Sequence, residues 1–309
     1  MNIKQSPYAM GVLATGLSYL LWGVLPIYWK SIGAVPAEEV LAHRIIWSLV
    51  FMVVVLLAAG KFKGVMTEIK AVFTNKRQAS SMILAAILIS VNWLVFIFAV
   101  KSDHVLEASM GYYINPLLNV FLATLFLKER LNKVEWASVV IAGTGVLCLT
   151  VYYGKFPWAA LILATTFSFY GLIKKKVKVS VWTGLTIETL IIAPFALIYL
   201  LFFDRSGVSM WDQDMTTIIL LIGTGIVTAI PLLLFAAGAQ RISFTLVGFL
   251  QYMAPTIMLL LGLFLFHEPF SQAQLFAFIL IWLALLLFSV SRTREMLRRK
   301  AESRLQASL

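Results

Sequence analysis

The hydrophobic positions fall into long runs separated by short, base-rich polar segments, and those runs set the architecture. Ten apolar windows predict membrane-spanning helices over residues 8–29, 38–59, 79–100, 105–127, 134–152, 157–173, 182–203, 216–239, 245–266 and 272–290. At about 1.5 Å rise per residue, roughly 20 residues cross a hydrocarbon core of about 30 Å. Two of the runs share one pattern. EASMGYYINPLLNVFLATLFLKERL (107–131) returns as LVGFLQYMAPTIMLLLGLFLFHEPF (246–270), so that Tyr113 meets Tyr252, Pro116 meets Pro255 and Glu129 meets Glu268 at a constant offset of 139. A proline stands at the middle of each copy, where it removes one backbone hydrogen bond and is expected to break the helix. Lipid tolerates such a break only where neighbouring helices or a water-filled cavity satisfy the freed carbonyl.

Weaker matches extend the repeat. LAHRII (41–46) aligns with LTIETL (185–190), and Leu21-Trp22-Gly23 aligns with Phe169-Tyr170-Gly171; the offset drifts from 148 to 144 to 139 along the chain, as unequal loops would produce. Five spans precede the connection near Gly154 and five follow it, so the second half enters the membrane with opposite orientation. The expected fold is an all-α polytopic membrane protein of ten transmembrane helices, arranged as two inverted five-helix repeats. The first repeat covers residues 1–153 and the second 154–291, and a basic cytoplasmic tail covers 292–309. Binding sites in such folds usually lie near the midplane, between the repeats.

Composition agrees with the spans and narrows the class. At 61% hydrophobic and 13% charged, the chain is too apolar for a soluble globule, whose apolar share is about half. The net charge of +11 does not mark a nucleic-acid surface, because the bases sit in short segments between apolar runs without interleaved aromatics. Positive-inside topology accounts for them. With the N-terminus in the cytoplasm, only Lys30, Lys101, Lys155 and Arg205 remain outside and Arg44 falls within a span. The bases from Lys61 to Arg77 and the cluster Lys174, Lys175, Lys176 and Lys178 then lie in cytoplasmic connections. The first run is long and lacks a convincing cleavage site, so it reads as a retained span. Cys148 is the single cysteine, leaving neither a disulfide framework nor a Cys/His metal site, and no cofactor is implied. His267-Glu268 is too little for a metal site. Walker loops, G-x-S-x-G elbows and H-E-x-x-H pairs are absent, so an enzyme is not expected.

Arg44 and Glu188 are the costly residues, each about seven positions into a span and at matching places in the two repeats. A charge at membrane depth costs about 2.5–3.5 kcal/mol, so each should face a cavity or a partner. Inversion separates them vertically by about 14 Å from helix rise alone, which makes a direct ion pair unexpected. They are read as serving opposite gates or opposite ends of a polar cavity. Structural charges that pair with carbonyls or snorkel to an interface are an equal alternative. Glu188 is the stronger candidate for proton coupling. His43 is a second, although it points about 100° away from Arg44, towards Trp47, with no carboxylate expected on its face. Asn92, Tyr112, Asn115 and Asn119 place polar groups inside apolar helices, answered by Gln251 and Tyr252 in the second repeat. Such amides serve equally as interhelical glue or ligand contacts. Trp22, Tyr19 and Trp93 are candidate cavity walls. Pro116, Pro194, Pro231 and Pro255 are candidate hinges.

At EASMGYYINPLLN (107–119), NWLVFIFAVKSDHVLEAS (92–109) and IPLLLFAAGAQRISFTLVGFLQYMAPT (230–256), with AHRIIWSL (42–49) and FLFHEPF (264–270) in agreement, the chain resembles the RarD branch of the EamA-type drug/metabolite transporter superfamily. The resemblance covers nearly the whole length. It implies two inverted five-helix repeats, cytoplasmic termini, a bacterial inner-membrane location and alternating access without a cofactor. Members resemble exporters of amino acids and other small metabolites, and the branch carries a label of chloramphenicol sensitivity. By that analogy the first four helices of each repeat line the cavity, which makes Trp22, Arg44, Asn92, Tyr112, Asn115, Glu188 and Tyr252 the candidate substrate contacts. The expected function is a secondary transporter, an exporter of small metabolites such as amino acids or amphipathic drugs, with Glu188 and His43 as candidate proton-coupling groups. Alternatives are a transporter or flippase of a lipid-linked or anionic metabolite, or a non-transporting membrane receptor. The expected partners are a small-molecule substrate and membrane lipids, without nucleic acid, and the expected state is a monomer.

Overall fold

A computed structural model describes residues 6–32, 35–101, 105–154, 158–203, 214–265 and 271–306. Those residues are helical and include no strand. They form α1 (Pro7–Ser31), α2 (Ala37–Ala58), α3 (Phe62–Thr74), α4 (Lys76–Lys101), α5 (Val105–Leu127), α6 (Lys133–Tyr153), α7 (Trp158–Lys176), α8 (Val181–Ile198), α9 (Met215–Ala239), α10 (Phe244–Gln251), α11 (Met253–Phe264) and α12 (Gln272–Gln306). A π-helical turn, Tyr199–Phe203, continues α8. Among the described residues eight helices are long and apolar enough to cross a membrane, and Tyr112–Leu127 within α5 is a shorter apolar stretch. The chain is a multi-pass α-helical membrane protein.

Burial is arranged for a lipid solvent. Leu13, Val54, Leu147, Phe195 and Phe202 are exposed on the outside, while Thr15, Ser18, Asn119, Thr224 and Gln251 are buried within. In lipid, apolar faces gain nothing by turning inward, so helix association relies on close packing and interhelical hydrogen bonds. Glycines on α9 make that packing possible. A Cβ at Gly225 would lie 2.3 Å from the Trp47 carbonyl carbon on α2, and one at Gly238 would lie 2.0 Å from Thr15 Oγ1 on α1. The most extensive pairings all join a helix before Gly154 to one after it: α1 with α9 and α11, α2 with α8 and α9, α4 with α7, α5 with α7 and α10, and α6 with α12. The two halves therefore share one interior.

Three features depart from the sequence expectations. α5 runs without interruption past Pro116. The second copy does break, at Tyr252 between α10 and α11, three residues before Pro255; proline removes a donor and crowds the carbonyl four residues back, here that of Gln251. Residues 62–74, read as part of a basic loop, form the amphipathic α3, which buries Val65, Ile69 and Val72 on one face. Glu68 of α3 then accepts hydrogen bonds at the start of α8, at 2.7 Å from the Ser180 N–H, at 2.7 Å from the Ser180 hydroxyl, and from the Thr183 hydroxyl. Lastly, the last span and the basic tail form one continuous helix, α12. Local capping explains several boundaries. Asn132 and Glu135 form a reciprocal capping box at the start of α6, and the Glu129 carboxylate accepts from the backbone N–H groups of Phe244 (2.7 Å) and Thr245 (3.1 Å) at the start of α10. Glu268, its counterpart, and His267 lie outside the described residues.

Candidate functional site

A cavity of about 300 Å³ lies inside the bundle, walled by α1, α2, α4, α5, α7, α9, α10 and α11. Trp22, Arg44, Asn92, Tyr112 and Asn115, singled out from sequence, all line it, and so do Tyr19 and Trp93. Arg44 is the one charged side chain in the lining among the described residues. Its position follows from the tight α2–α9 contact. With no side chain on Gly225, α9 approaches the Trp47 backbone, Ser48 Oγ donates to the Gly225 carbonyl at 3.2 Å, and Thr228, three residues on, meets Arg44. Arg44 Nε donates to Thr228 Oγ1 at 3.2 Å. The guanidinium carbon sits 5.2 Å from the Trp29 ring centre and 4.7 Å from that of Trp93, within cation–π range of both. No carboxylate among the described residues forms an ion pair with it.

The amides both hold helices together and face the cavity. Asn92 Nδ2 donates to the Leu163 carbonyl (2.8 Å) and to Thr166 Oγ1 (2.9 Å), joining α4 to α7. Asn115 Nδ2 donates to the Ala164 carbonyl (3.3 Å), and Asn115 Oδ1 accepts from the Ser168 hydroxyl (3.2 Å), joining α5 to α7. Gln251 Oε1 accepts from Asn119 Nδ2 at 2.8 Å and from the Tyr19 hydroxyl at 3.5 Å. The aromatic wall is continuous. Trp22 lies 5.5 Å from Tyr19, 5.7 Å from Phe167 and 5.7 Å from Phe235 between ring centres.

Glu188 is placed elsewhere. It is 2% exposed and outside the cavity lining, with Oε1 2.7 Å from Lys174 Nζ and Oε2 accepting from the Tyr170 hydroxyl at 3.0 Å. Lys174 is therefore not the solvated loop base expected from charge topology. It is 5% exposed and occupies space left by Gly184, where a Cβ would lie 3.0 Å from its ammonium. Tyr170 stacks parallel on Phe235 at 6.2 Å, and Phe235 in turn touches Trp22, so the ion pair sits directly behind the cavity's aromatic wall. The spacing of Tyr170 and Lys174, four residues apart on one helical face, was the signal that sequence reasoning left unused.

The other candidates are also outside the lining. His43 is 7% exposed, with Nε2 3.8 Å from Glu39 Oε1 one turn earlier, which corrects the expectation that its face holds no carboxylate. Tyr252 is buried, and its hydroxyl donates to the carbonyl of Tyr113, its own repeat counterpart, at 3.4 Å. Pro116, Pro194 and Pro231 lie inside continuous helices, whereas Pro255 lies in the first turn of α11. Gln251, weighed as glue or ligand contact, lines the cavity too, and so do Thr228, Trp29 and Phe167, which were not among the expected substrate contacts. A separate hollow of about 420 Å³ between α1 and α9, lined by Leu21, Leu25, Ile226 and Ile230, holds no charged group.

Comparison with known proteins identifies the family. The EamA-like transporter family matches residues 9–151 and again 156–290. The chain is 48% identical over 284 residues to the uncharacterized transporter YojE of Bacillus subtilis, covering 92% of this chain and 95% of that one. It is 41% identical over 289 residues to protein RarD of Escherichia coli K12 (93% and 96% coverage), and 26% identical over 291 residues to the chloramphenicol-sensitive protein RarD of Pseudomonas aeruginosa (94% and 97%). A crystal structure at 22% identity has the same fold, with a TM-score of 0.69 over 91% of this chain and 97% of that one.

Proposed function

Because the chain belongs to the EamA-like transporter family, we propose that it is a secondary transporter that exports a small amphipathic metabolite by alternating access. The observation that carries this reading is the cavity around Arg44, set inside a bundle that turns many large apolar side chains outward. A charge at that depth is costly and has an evident use where a cargo passes. Among the described residues no group of three or more His, Cys, Asp or Glu side chains is placed to hold a metal ion.

The packing supports ten spans in two inverted repeats. Exchanging α1 with α7, α2 with α8, α4 with α9, α5 with α10–α11 and α6 with α12 maps the pairing of α1 with α9 onto that of α7 with α4. It maps α5 with α7 onto α10–α11 with α1, and leaves α2 with α8 and α6 with α12 unchanged. Tyr113 and Tyr252, equivalent in the sequence repeat, are joined by a hydrogen bond, as residues beside a pseudo-twofold axis would be. The proposal carries the rest of the topology with it: an inner-membrane monomer, both termini cytoplasmic, Arg44 on the outer side of the midplane and the Lys174–Glu188 pair on the inner side. Opening to the cytoplasm separates that pair and leaves Glu188 available to a proton; His43 with Glu39 is the second proton-exchanging pair. A lipid-linked cargo is the alternative reading, favoured by the apolar hollow between α1 and α9.

Uptake of a mixed metabolite pool into proteoliposomes, read by mass spectrometry with and without a pH gradient, tests the proposal against protein-free vesicles. Accumulation of a small-metabolite class supports it, and accumulation faster under a pH gradient in wild type but not in Glu188→Gln supports the coupling. A folded protein that accumulates nothing from the pool refutes it.

A further inference from the structure

The charge balance of the cavity narrows the cargo. Among the described residues Arg44 is its single charged side chain, and every other described lining group is neutral. A guanidinium offers five N–H donors in a planar fork; Thr228 takes the one at Nε, which is the only hydrogen bond Arg44 makes among the described residues. Trp29 and Trp93 lie within cation–π range of the group, and the edge that carries its other donors makes no hydrogen bond among the described residues. That edge is suited to a carboxylate, which a guanidinium grips with two parallel hydrogen bonds. The carboxylate at the corresponding place in the second half, Glu188, is withdrawn from the cavity and already matched by Lys174. Among the described residues, nothing in the lining therefore offers a full negative charge to an ammonium group.

We propose that the cavity binds its cargo as an organic monoanion, a carboxylate held by Arg44 with its apolar or aryl body against Trp22, Trp93, Phe96 and Phe167. A phosphate monoester carries about 1.5 to 2 negative charges at neutral pH, more than one guanidinium balances. A zwitterion gains the same contact but must strip water from an ammonium without receiving a counter-charge. At about 300 Å³ the space is at the small end of ligand cavities. Amides and hydroxyls of Asn92, Tyr112 and Gln251 remain to orient polar substituents on the body.

This inference rests on the transporter reading for its biological meaning, and its test is a binding experiment independent of flux. Three probes share a phenyl body: 3-phenylpropionate, phenylalanine and phenethylamine. Each is titrated calorimetrically into the protein in lipid nanodiscs, with empty nanodiscs as the blank. The expected order is 3-phenylpropionate tightest, phenylalanine at least about tenfold weaker and phenethylamine without measurable binding. Arg44→Gln, checked for folding by its thermal midpoint, loses at least about tenfold in affinity for 3-phenylpropionate, and Arg44→Lys falls between because an ammonium cannot supply the planar fork. Equal or tighter binding of phenylalanine or phenethylamine to the wild type overturns the proposal without need of any variant. So does undiminished 3-phenylpropionate affinity in folded Arg44→Gln, or a failure of all three probes to bind at millimolar concentration. Vesicles that accumulate amines or amino acids would keep the transporter reading and discard the monoanion. Anion binding without flux of any pool member would do the reverse.

Discussion

Replacing Lys174 by methionine keeps an unbranched apolar stem and deletes the ammonium, leaving the Glu188 carboxylate with the Tyr170 hydroxyl alone. The geometry sets the size of the effect. Nζ and Oε1 are 2.7 Å apart, with the two side chains only 5% and 3% exposed, so neither charge has water to fall back on. Removing one partner of such a buried pair costs about 3–5 kcal/mol, chiefly because the survivor is left uncompensated. The Tyr170 hydrogen bond at 3.0 Å stays with Glu188, which places Lys174→Met near the low end, about 3 kcal/mol. Glu188→Gln strands the lysine instead and should cost about as much. The double variant leaves no charge behind and is expected to lose only about 1 kcal/mol, since neutral replacements of buried pairs are often tolerated. The cycle should therefore return a coupling of at least about 3 kcal/mol, or roughly 150-fold in the unfolding equilibrium. The assay is equilibrium unfolding of all four proteins in mixed micelles. Additive losses, with a coupling near zero, would refute the view that this pair neutralises Glu188.

Two further predictions address the scaffold around the cavity. Gly225→Ala puts a Cβ 2.3 Å from the Trp47 carbonyl carbon and 2.7 Å from the Ser48 nitrogen; these are backbone atoms that cannot rotate aside, so α2 and α9 must part. A loss of about 1–3 kcal/mol in the same micellar unfolding assay is expected, and wild-type stability would count against the packing described. Burial disfavours the charge on Glu68, but hydrogen bonds from the Thr183 hydroxyl and from Ser180 outweigh it and hold the carboxyl below its usual range. The anchoring of α3 is then complete above about pH 4.3, the ordinary glutamate value, and fades as the pH falls through the lower folded value. Amide exchange over residues 62–74 should quicken on that acidification and, at neutral pH, in Glu68→Gln; exchange unchanged by either would refute the anchoring.

Much of the cavity was legible in the sequence because insertion into lipid makes polar residues conspicuous. Arg44, Asn92, Tyr112 and Asn115 stand out against apolar helices, and all four line the cavity. Thr228 and Trp29 do not stand out, since a threonine or tryptophan in a span is ordinary, and only the close approach at Gly225 brings Thr228 to Arg44. Lys174 was hidden for a different reason. Charge topology treats a terminal run of lysines as solvated, and the choice of one lysine from Lys174, Lys175 and Lys176 depends on which helix packs opposite. α3 was missed because its apolar spacing at Val65, Ile69 and Val72 covers only about two turns. The two prolines show the limit of local rules: the same residue at the same repeat position leaves α5 continuous and separates α10 from α11.

The two halves hold equivalent positions with opposite chemistry, and that asymmetry gives a physical account of how cargo and conformation become linked. At the offsets of the repeat, Trp22, Pro26 and Arg44 correspond to Tyr170, Lys174 and Glu188. In the first half Pro26 carries no charge, so Arg44 faces an open cavity with its charge unspent. In the second, Lys174 fills the equivalent place and satisfies Glu188 within the protein. Closing the cavity over an unliganded Arg44 would bury a lone cation, whereas closing it over a bound carboxylate buries a matched pair. A ligand shifts a conformational equilibrium only by its differential affinity for the two states, and here the difference is supplied by the charge the cavity lacks. On the proposed mechanism the empty carrier is held back by the desolvation of Arg44 at one end and by the Lys174–Glu188 pair at the other. A monoanion lowers the first barrier, and a proton on Glu188 lowers the second.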